Sequence, residues 1–136
     1  MEAVVSSPNN VLTVRRLFDA FYAADEAAMT ELIGDDFVTH ALGGGTGNAH
    51  GWKAMARQFA DAIPDNRSEI DDIFGHGDKV AVRYTSRGTH TAELFGVAPT
   101  NRTLTLAGME IYRLSKGRIV ECWGHYDMSE LFTPTR

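Results

Sequence analysis

The stretch VAVRYTSRGTH, residues 80–90, alternates large apolar side chains with smaller or polar ones over its first six positions. In an extended chain, successive side chains point to opposite faces, so Val80, Val82 and Tyr84 share one face. Such alternation is typical of a strand that is buried on one side only. The sequence therefore predicts a half-buried strand here, and the segments around it decide the fold class.

Further extended segments surround this strand, and the first half of the chain is helical. Residues 75–78 and 115–117 have the composition of tight turns between strands. Upstream, apolar residues recur at spacings of three and one, which is the helical period. The predicted helices cover residues 11–24, 27–33 and 52–63, and the predicted extended segments cover 35–40, 69–74, 80–85, 104–112 and 119–126.

Helices followed by long antiparallel strands predict an α+β fold in which three N-terminal helices cover one face of a curved antiparallel sheet. A curved sheet with helices across its mouth encloses a cavity, where small molecules usually bind. Residues 1–136 are predicted to form one domain, because no linker or repeat interrupts them. Residues 1–10 are predicted to be a flexible arm, with Asn10 as a helix cap.

Composition excludes several classes of function. The 13 Lys and Arg residues are scattered and are outnumbered by 18 Asp and Glu residues, which disfavours a nucleic-acid partner. No apolar run reaches the roughly 18 residues of a membrane span. Cys122 is the single cysteine, so no intrachain disulfide can form, and a reducing cytoplasmic location is expected.

A carboxylate at the end of the last predicted strand is a candidate acid/base group. With a period of two, Glu121, Trp123, His125 and Asp127 share one face. If that face lines a dry pocket, desolvation raises the pKa of Asp127 and makes it a usable proton carrier. The alternative is that Asp127 caps a helical turn over residues 128–132, since Asp is a favoured N-cap.

Two further polar residues allow a functional and a structural interpretation. His90 could donate a hydrogen bond to a substrate carbonyl, or it could be an ordinary hydrogen-bonded strand histidine. Arg83 could hold an anionic substrate, or it could pair with a carboxylate. His40 ends an extended segment and is either a pocket residue or a surface loop residue.

Standard cofactor and metal motifs are not found in the sequence. There is no GxGxxG, P-loop or GxSxG pattern. His90 with Glu93, and His125 with Asp127, could each supply two metal ligands, but neither pair has a third at a telling spacing. We therefore expect neither a metal nor a cofactor.

Several segments together resemble one known family. Residues 83–90 match an R-x-T-x-x-G-x-H pattern, residues 96–100 match G-x-x-P-T, and residues 119–123 match I-V-E-x-W, with Asp127 four residues after the tryptophan. In these motifs the chain resembles the SnoaL-like polyketide cyclases of the nuclear transport factor 2-like superfamily. The resemblance extends over roughly residues 11–131.

The resemblance implies a cone-shaped, cystatin-like α+β fold with a deep apolar cavity and a homodimer or homotetramer formed through the sheet. It implies intramolecular aldol closure of a polyketide ester without metal or cofactor, with Asp127 as general acid/base and His90 as donor or orienter. The substrate is expected to be a small apolar carbonyl compound. The residues expected to bind it are Tyr22, His40, Trp52, Phe59, Arg83 and Trp123.

Other functions remain open at this point. The same cavity could serve a dehydratase or a ketosteroid-isomerase-like lyase or isomerase that uses a His–Asp pair as its base. A non-catalytic module that binds an apolar metabolite, or a dimerisation unit, is the third possibility.

Overall fold

A computed structural model describes residues 7–40 and 46–133. Within these described residues, four helices and six strands follow one another. They are α1 (Ser7–Ala23), α2 (Glu26–Leu32), β1 (Ile33–His40), β2 (Thr46–Asn48), α3 (Ala49–Ala62), β3 (Arg67–His76), β4 (Lys79–Thr89), β5 (Thr103–Ser115), β6 (Arg118–Asp127) and α4 (Ser129–Phe132).

The strands form one curved, open sheet in the order β2-β1-β6-β5-β4-β3. Its neighbouring strands run antiparallel except β1 and β6, which pair in parallel. The parallel pair joins strands that are far apart in the chain, because β1 precedes β2 and α3, whereas β6 ends the meander of β3–β6. The predicted α+β architecture, with a curved sheet and three N-terminal helices, is confirmed.

The helices α1 and α3 pack across the inner face of the sheet and build the core. Helix α1 contacts β3 and β4, and α3 contacts β1. Along β4 the even-numbered residues, including Val80, Val82 and Tyr84, are buried against the helices, whereas Arg83 is exposed. The alternation of residues 80–85 therefore distinguishes the inner from the outer face, as the sequence indicates.

Helix α1 begins earlier than predicted. Residues 7–10 belong to it, so the predicted arm of residues 1–10 is wrong there, and residues 1–6 lie outside the described residues. Asn10 is buried inside the helix, and its side-chain amide donates to the Gly77 carbonyl at 3.4 Å. Asn10 therefore contacts the β3–β4 turn from within α1 and is not the cap of that helix.

Bulges shape the sheet around the cavity. The register between β3 and β4 shifts between Ile70 and Asp72, and the register between β5 and β6 shifts between Arg113 and Leu114. Such bulges bend the strand and increase its twist, and thereby help an open sheet to curve. In the part of the chain that the structure describes, no helix is long and apolar enough to span a bilayer.

Candidate active site

A cavity lined mainly by aromatic side chains lies between the inner face of the sheet and helices α1 and α3. Its volume is about 50 Å³, which is room for a few water molecules, and part of it opens to solvent. The cavity is lined by Leu17, Phe18, Phe21, Tyr22, Trp52, Met55, Phe59, Asn66, Tyr84, Ser86, Leu106, Glu110, Tyr112 and Tyr126.

Glu110 is the acidic residue of this lining. It lies on β5 between Val82 of β4 and Gly124 of β6, and its carboxyl group points into the cavity. The Tyr84 hydroxyl donates to Oε2 at 3.3 Å, and the Tyr112 hydroxyl donates to Oε1. Burial raises the pKa of Glu110, and the bonds from the two tyrosines only partly oppose it. The site therefore holds a carboxyl group whose pKa lies above its ordinary value, and a raised pKa is typical of carboxyl groups that act as general acids or bases.

Two glycines make room for this carboxyl group and its phenol partner. A Cβ atom on Gly108 would stand 2.6 Å from both Cζ and the hydroxyl oxygen of Tyr84. A Cβ atom on Gly124 would stand 3.2 Å from Cγ and 3.3 Å from Oε2 of Glu110. The bare backbone at these two positions lets the Tyr84 ring and the carboxyl group lie against the sheet.

Two more phenols face the same space. The Tyr126 hydroxyl contacts the Met55 sulfur at 3.8 Å, and thioether sulfur is a weak acceptor. Burial raises the pKa of Tyr126, and the charge of Glu110 raises it further. Burial likewise raises the pKa of Tyr22. Both phenols therefore stay protonated and can donate to an oxygen atom inside the cavity.

The structure places three of the predicted substrate-binding residues in this lining, namely Tyr22, Trp52 and Phe59. Their rings surround Phe21, with ring centroids 5.3, 5.0 and 6.1 Å from it. Helical spacing along α1 and α3 brings them together, because residues three and four apart lie on one helix face.

Asp127 does not line the cavity. It is exposed at the end of β6, and Oδ1 accepts the backbone N–H of Ser129 at 2.9 Å. That hydrogen bond lowers the pKa of Asp127. The expectation that a dry cavity raises the pKa of this carboxyl group is wrong, because β6 turns Tyr126 inward and Asp127 outward. The N-cap residue of α4 is Met128, so Asp127 is not the cap itself, but its carboxylate accepts the N–H of the first helical residue, Ser129, which is close to the capping interpretation.

His90 is completely buried but does not line the cavity. Its Nδ1 accepts the backbone N–H of Thr100 at 3.3 Å and lies 3.1 Å from the Thr100 hydroxyl. Because Nδ1 accepts, the ring proton belongs on Nε2, which has no hydrogen-bond partner among the described residues. His90 thus anchors the segment between β4 and β5.

His40, Trp123 and Arg83 belong to the opposite face of the sheet. The His40 ring stacks on the Trp123 ring, with centroids 5.3 Å apart, and its Nε2 lies 2.7 Å from Glu121. Arg83 is exposed, with its Nη1 3.8 Å from Oδ2 of Asp71. The expectation that these three residues line the cavity is wrong, because their positions along β1, β4 and β6 fall on the outward parity.

Sequence reasoning missed Glu110. A usable signal was present: Glu110 is in phase with Leu104, Leu106 and Tyr112, so a period of two places it on the buried face of its strand. An acidic residue in that phase is unusual and marks a candidate site. Among the described residues, no group of three or more His, Cys, Asp or Glu side chains could hold a metal ion.

The fold and the cavity define a small α+β protein of the nuclear transport factor 2-like type. A family profile for the SnoaL-like polyketide cyclases matches residues 12–134, and the chain belongs to that family. A search of curated proteins finds no match.

Solved structures show the same fold. IdmH of Streptomyces antibioticus, described provisionally as a polyketide cyclase, is 32% identical and superposes with a TM-score of 0.80, over 90% of this chain and 97% of that one. AclR of Streptomyces galilaeus, described provisionally as a hydroxylase, is 22% identical with a TM-score of 0.83, over 95% and 88% of the two chains. An epoxide hydrolase of M. tuberculosis, described as LEH-like, is 15% identical with a TM-score of 0.72, over 93% and 89%. The last two similarities concern the fold alone.

Proposed function

We propose that the protein is a cofactor-independent acid/base enzyme that closes a ring in a small apolar carbonyl compound by intramolecular aldol addition. The observation that carries the proposal is the buried Glu110 carboxyl group, which accepts bonds from Tyr84 and Tyr112 inside an aromatic cavity. Membership of the SnoaL-like polyketide cyclase family supports this class of substrate.

Glu110 is the proposed proton carrier. Its carboxylate removes a proton from the carbon beside a carbonyl, and the carbon so activated attacks a second carbonyl of the same molecule. The new alkoxide then takes a proton from Glu110, so the product has the same mass as the substrate. A positioned proton transfer of this kind contributes about 10²–10⁴-fold in rate.

Tyr126 is the proposed donor to the developing enolate oxygen. It is diagonal to Glu110 across β5 and β6, because Gly124 pairs with Glu110 and Gly108 pairs with Tyr126. Its hydroxyl meets only a weak acceptor at Met55, so a substrate oxygen can replace that contact. Loss of a comparable oxyanion donor reduces kcat by about 10²–10³-fold.

The test is α-proton exchange, followed by NMR in D₂O with 1-tetralone, a small aromatic ketone. The wild-type protein is expected to catalyse exchange, and Glu110→Gln is expected to lose about 10²–10⁴-fold of it. Asp127→Asn is the matched control, since it neutralises an exposed carboxylate, and it should leave the rate unchanged. Equal rates for wild type and Glu110→Gln would overturn the proposal.

The alternative functions give different results. Product mass separates aldol closure, which conserves mass, from dehydration, which loses water. A non-catalytic binding module would bind ketones equally well with Glu110→Gln and would show no exchange in either form. The predicted His–Asp base has less support, because Asp127 is exposed on the outer face and His90 does not line the cavity.

We also propose that the outer face of the sheet is the contact surface of a homodimer. Phe74, Met109 and Ile111 expose 62%, 57% and 44% of their surface there. Arg83 and Asp72 border this apolar centre with opposite charges, as a two-fold interface of one surface with itself requires. Light scattering after size exclusion should give the mass of a dimer for the wild-type protein. Ile111→Asp should lower that mass to a monomer, whereas the control Leu12→Asp, on the exposed surface of α1, should leave it unchanged. A monomeric wild type would refute this.

Two broader expectations stay proposals. We propose that residues 1–136 form one domain, which a single cooperative unfolding transition would test. A cytoplasmic location is proposed because the single thiol, Cys122, is buried and burial raises its pKa well above the ordinary value. Cell fractionation tests the location.

A further inference from the structure

One end of the aromatic cavity carries polar side chains that the proposed proton transfer does not use. They are the amide of Asn66 and the hydroxyl of Ser86, with the phenol of Tyr22 beside them. We call these three side chains the polar corner. In an apolar pocket, a few well-placed polar groups usually fix the orientation of a ligand, so the polar corner is a candidate binding site.

The backbone holds Asn66 in place from both sides. Its N–H donates to the Ile63 carbonyl at 2.9 Å. The preceding residue, Asp65, accepts the N–H and the hydroxyl of Thr89 at 2.7 and 2.8 Å. A Cβ atom on Gly88 would stand 2.9 Å from the Cα atom of Asn66, so the bare strand lets this segment lie directly against β4. The position from which the Asn66 amide lines the cavity is therefore well defined.

The Asn66 amide itself is not engaged by the protein. Within residues 7–40 and 46–133, its side chain makes no hydrogen bond. A side-chain amide offers two N–H donors and one carbonyl acceptor. A firmly placed amide that lines a cavity with its donors unused can bind an oxygen atom of a ligand.

Two serine hydroxyls from neighbouring strands lie beside this amide. Ser86 of β4 pairs directly with Ser68 of β3, and directly opposite residues project from the same face of a sheet. Ser86 is buried, and the buried Ser68 hydroxyl makes no hydrogen bond of ordinary geometry among the described residues. Burial raises the pKa of Tyr22, and these two nearby hydroxyls partly oppose it. Since buried polar groups normally have partners, this end of the cavity has hydrogen-bonding capacity that the chain itself does not use.

The polar corner is separate from the Glu110 carboxyl group but belongs to the same cavity. Ser86 lies four residues along β4 from Val82, which pairs with Glu110, and four residues span about 13 Å along a strand. The Tyr84 hydroxyl, which donates to Glu110, comes from the residue midway between them. The two polar groups can therefore contact different parts of one bound molecule.

We infer that the polar corner binds a second carbonyl oxygen of the substrate, remote from the carbonyl that lies at Glu110. The Asn66 amide and the Ser86 hydroxyl donate to this oxygen and orient the molecule, and they take no part in the proton transfer. The inference rests on the proposed function for the position of the first carbonyl. It names the substrate class as a dicarbonyl compound whose two oxygen atoms are well separated.

The test compares diketones with monoketones of the same length, by NMR titration of the ¹⁵N-labelled protein. The pairs are 2,4-pentanedione with 2-pentanone and 2,5-hexanedione with 2-hexanone, which are small because the cavity has a volume of about 50 Å³. Apolar walls alone would favour the monoketone, since burial of a carbonyl without a hydrogen bond is costly. At least one diketone should bind about 2- to 12-fold more tightly than its monoketone, the effect of one net hydrogen bond. If neither diketone binds more tightly than its monoketone, the inference is overturned.

Variants locate the effect. Asn66→Leu and Ser86→Ala should each remove most of the diketone gain and leave monoketone binding unchanged. The matched control is Gln58→Leu, which removes an exposed amide of α3 and should keep the gain. Urea denaturation shows whether each variant is folded, and Ser86→Ala, which only removes one oxygen atom, serves if Asn66→Leu is not. A full gain in the folded variants would overturn the polar corner.

Glu110→Gln separates this inference from the proposed function. It should keep the diketone gain while it loses proton exchange. A diketone gain that depends on Asn66, without any exchange that depends on Glu110, would refute the proposed chemistry and support the polar corner. Exchange that depends on Glu110, without a diketone gain, would overturn the polar corner alone.

Discussion

Replacing Gly108 by alanine tests the packing that supports the candidate base. The new Cβ would stand 2.6 Å from Cζ and from the hydroxyl oxygen of Tyr84, and 2.8 Å from Cε1. Tyr84 cannot withdraw easily, because it is buried and its ring meets that of Phe18 edge-on at 5.0 Å. The Tyr84 ring must therefore shift, and its 3.3 Å hydrogen bond to Glu110 is expected to break.

The expected loss of stability follows from three contributions. Overpacking of a core costs about 1–3 kcal/mol. Loss of a hydrogen bond to a charged group costs about 1.5–3 kcal/mol. Replacing glycine by alanine within a strand stabilises the folded state by about 0.5–1 kcal/mol and offsets part of this cost. We expect Gly108→Ala to lower the free energy of unfolding by about 1.5–5.5 kcal/mol in urea denaturation.

Gly47→Ala is the matched control, because the nearest atom to its Cβ is the Thr39 hydroxyl at 3.5 Å, an ordinary contact. It should change the free energy of unfolding by less than about 0.5 kcal/mol. In a Tyr84→Leu background, Gly108→Ala should cost much less, since the clashing ring is gone. If Gly108→Ala is as stable as wild type, the placement of Tyr84 against the strand is wrong.

The same substitution should also move the pH profile. The Tyr84 bond lowers the pKa of Glu110 against the effect of burial. Without that bond the pKa of Glu110 rises further, so the exchange rate should begin to rise at higher pH than in wild type. An unchanged profile would argue that Glu110 is not the group that titrates.

The remaining predictions concern ionisable side chains. Burial raises the pKa of Glu110, so its contribution to stability is fully present below the ordinary glutamate pKa and is lost as pH rises through the raised pKa. Glu110→Gln should flatten this loss, about 1.4 kcal/mol for each unit by which the pKa is raised, in urea titrations that run upward from the ordinary glutamate pKa. The Ser129 N–H donates to Asp127 and lowers its pKa, so the stability from that bond is present above the ordinary carboxyl pKa and is lost as pH falls. Asp127→Asn should therefore make the stability less sensitive to acid. An acid unfolding transition identical to that of wild type would contradict this. The Asp65 carboxylate accepts both the N–H and the hydroxyl of Thr89, at 2.7 and 2.8 Å. Asp65→Ala should therefore speed amide hydrogen exchange at Thr89. Unchanged protection of that amide would count against these contacts.

The predicted base, Asp127, is wrong because the sequence pattern does not show which face of β6 points into the cavity. Residues 121, 123, 125 and 127 do share a face, as the period of two predicts, but that face points outward. Both sides of β6 carry apolar residues, Cys122 and Tyr126 on one and Trp123 on the other. Alternation shows that the sides differ and cannot show which one the helices cover. The register that pairs Gly124 with Glu110 turns Tyr126 toward the cavity.

The sequence by itself determined the α+β class, the strand at residues 80–85 and the helices that bring Tyr22, Trp52 and Phe59 to one place. These features depend on local periodicity and on the burial of apolar side chains, which a linear pattern records. Only the tertiary structure decided that Glu110, and not Asp127, is the sheltered carboxyl group. Shelter depends on which face of a strand the helices cover and on the space left by glycines of neighbouring strands, and these are relations between distant parts of the chain.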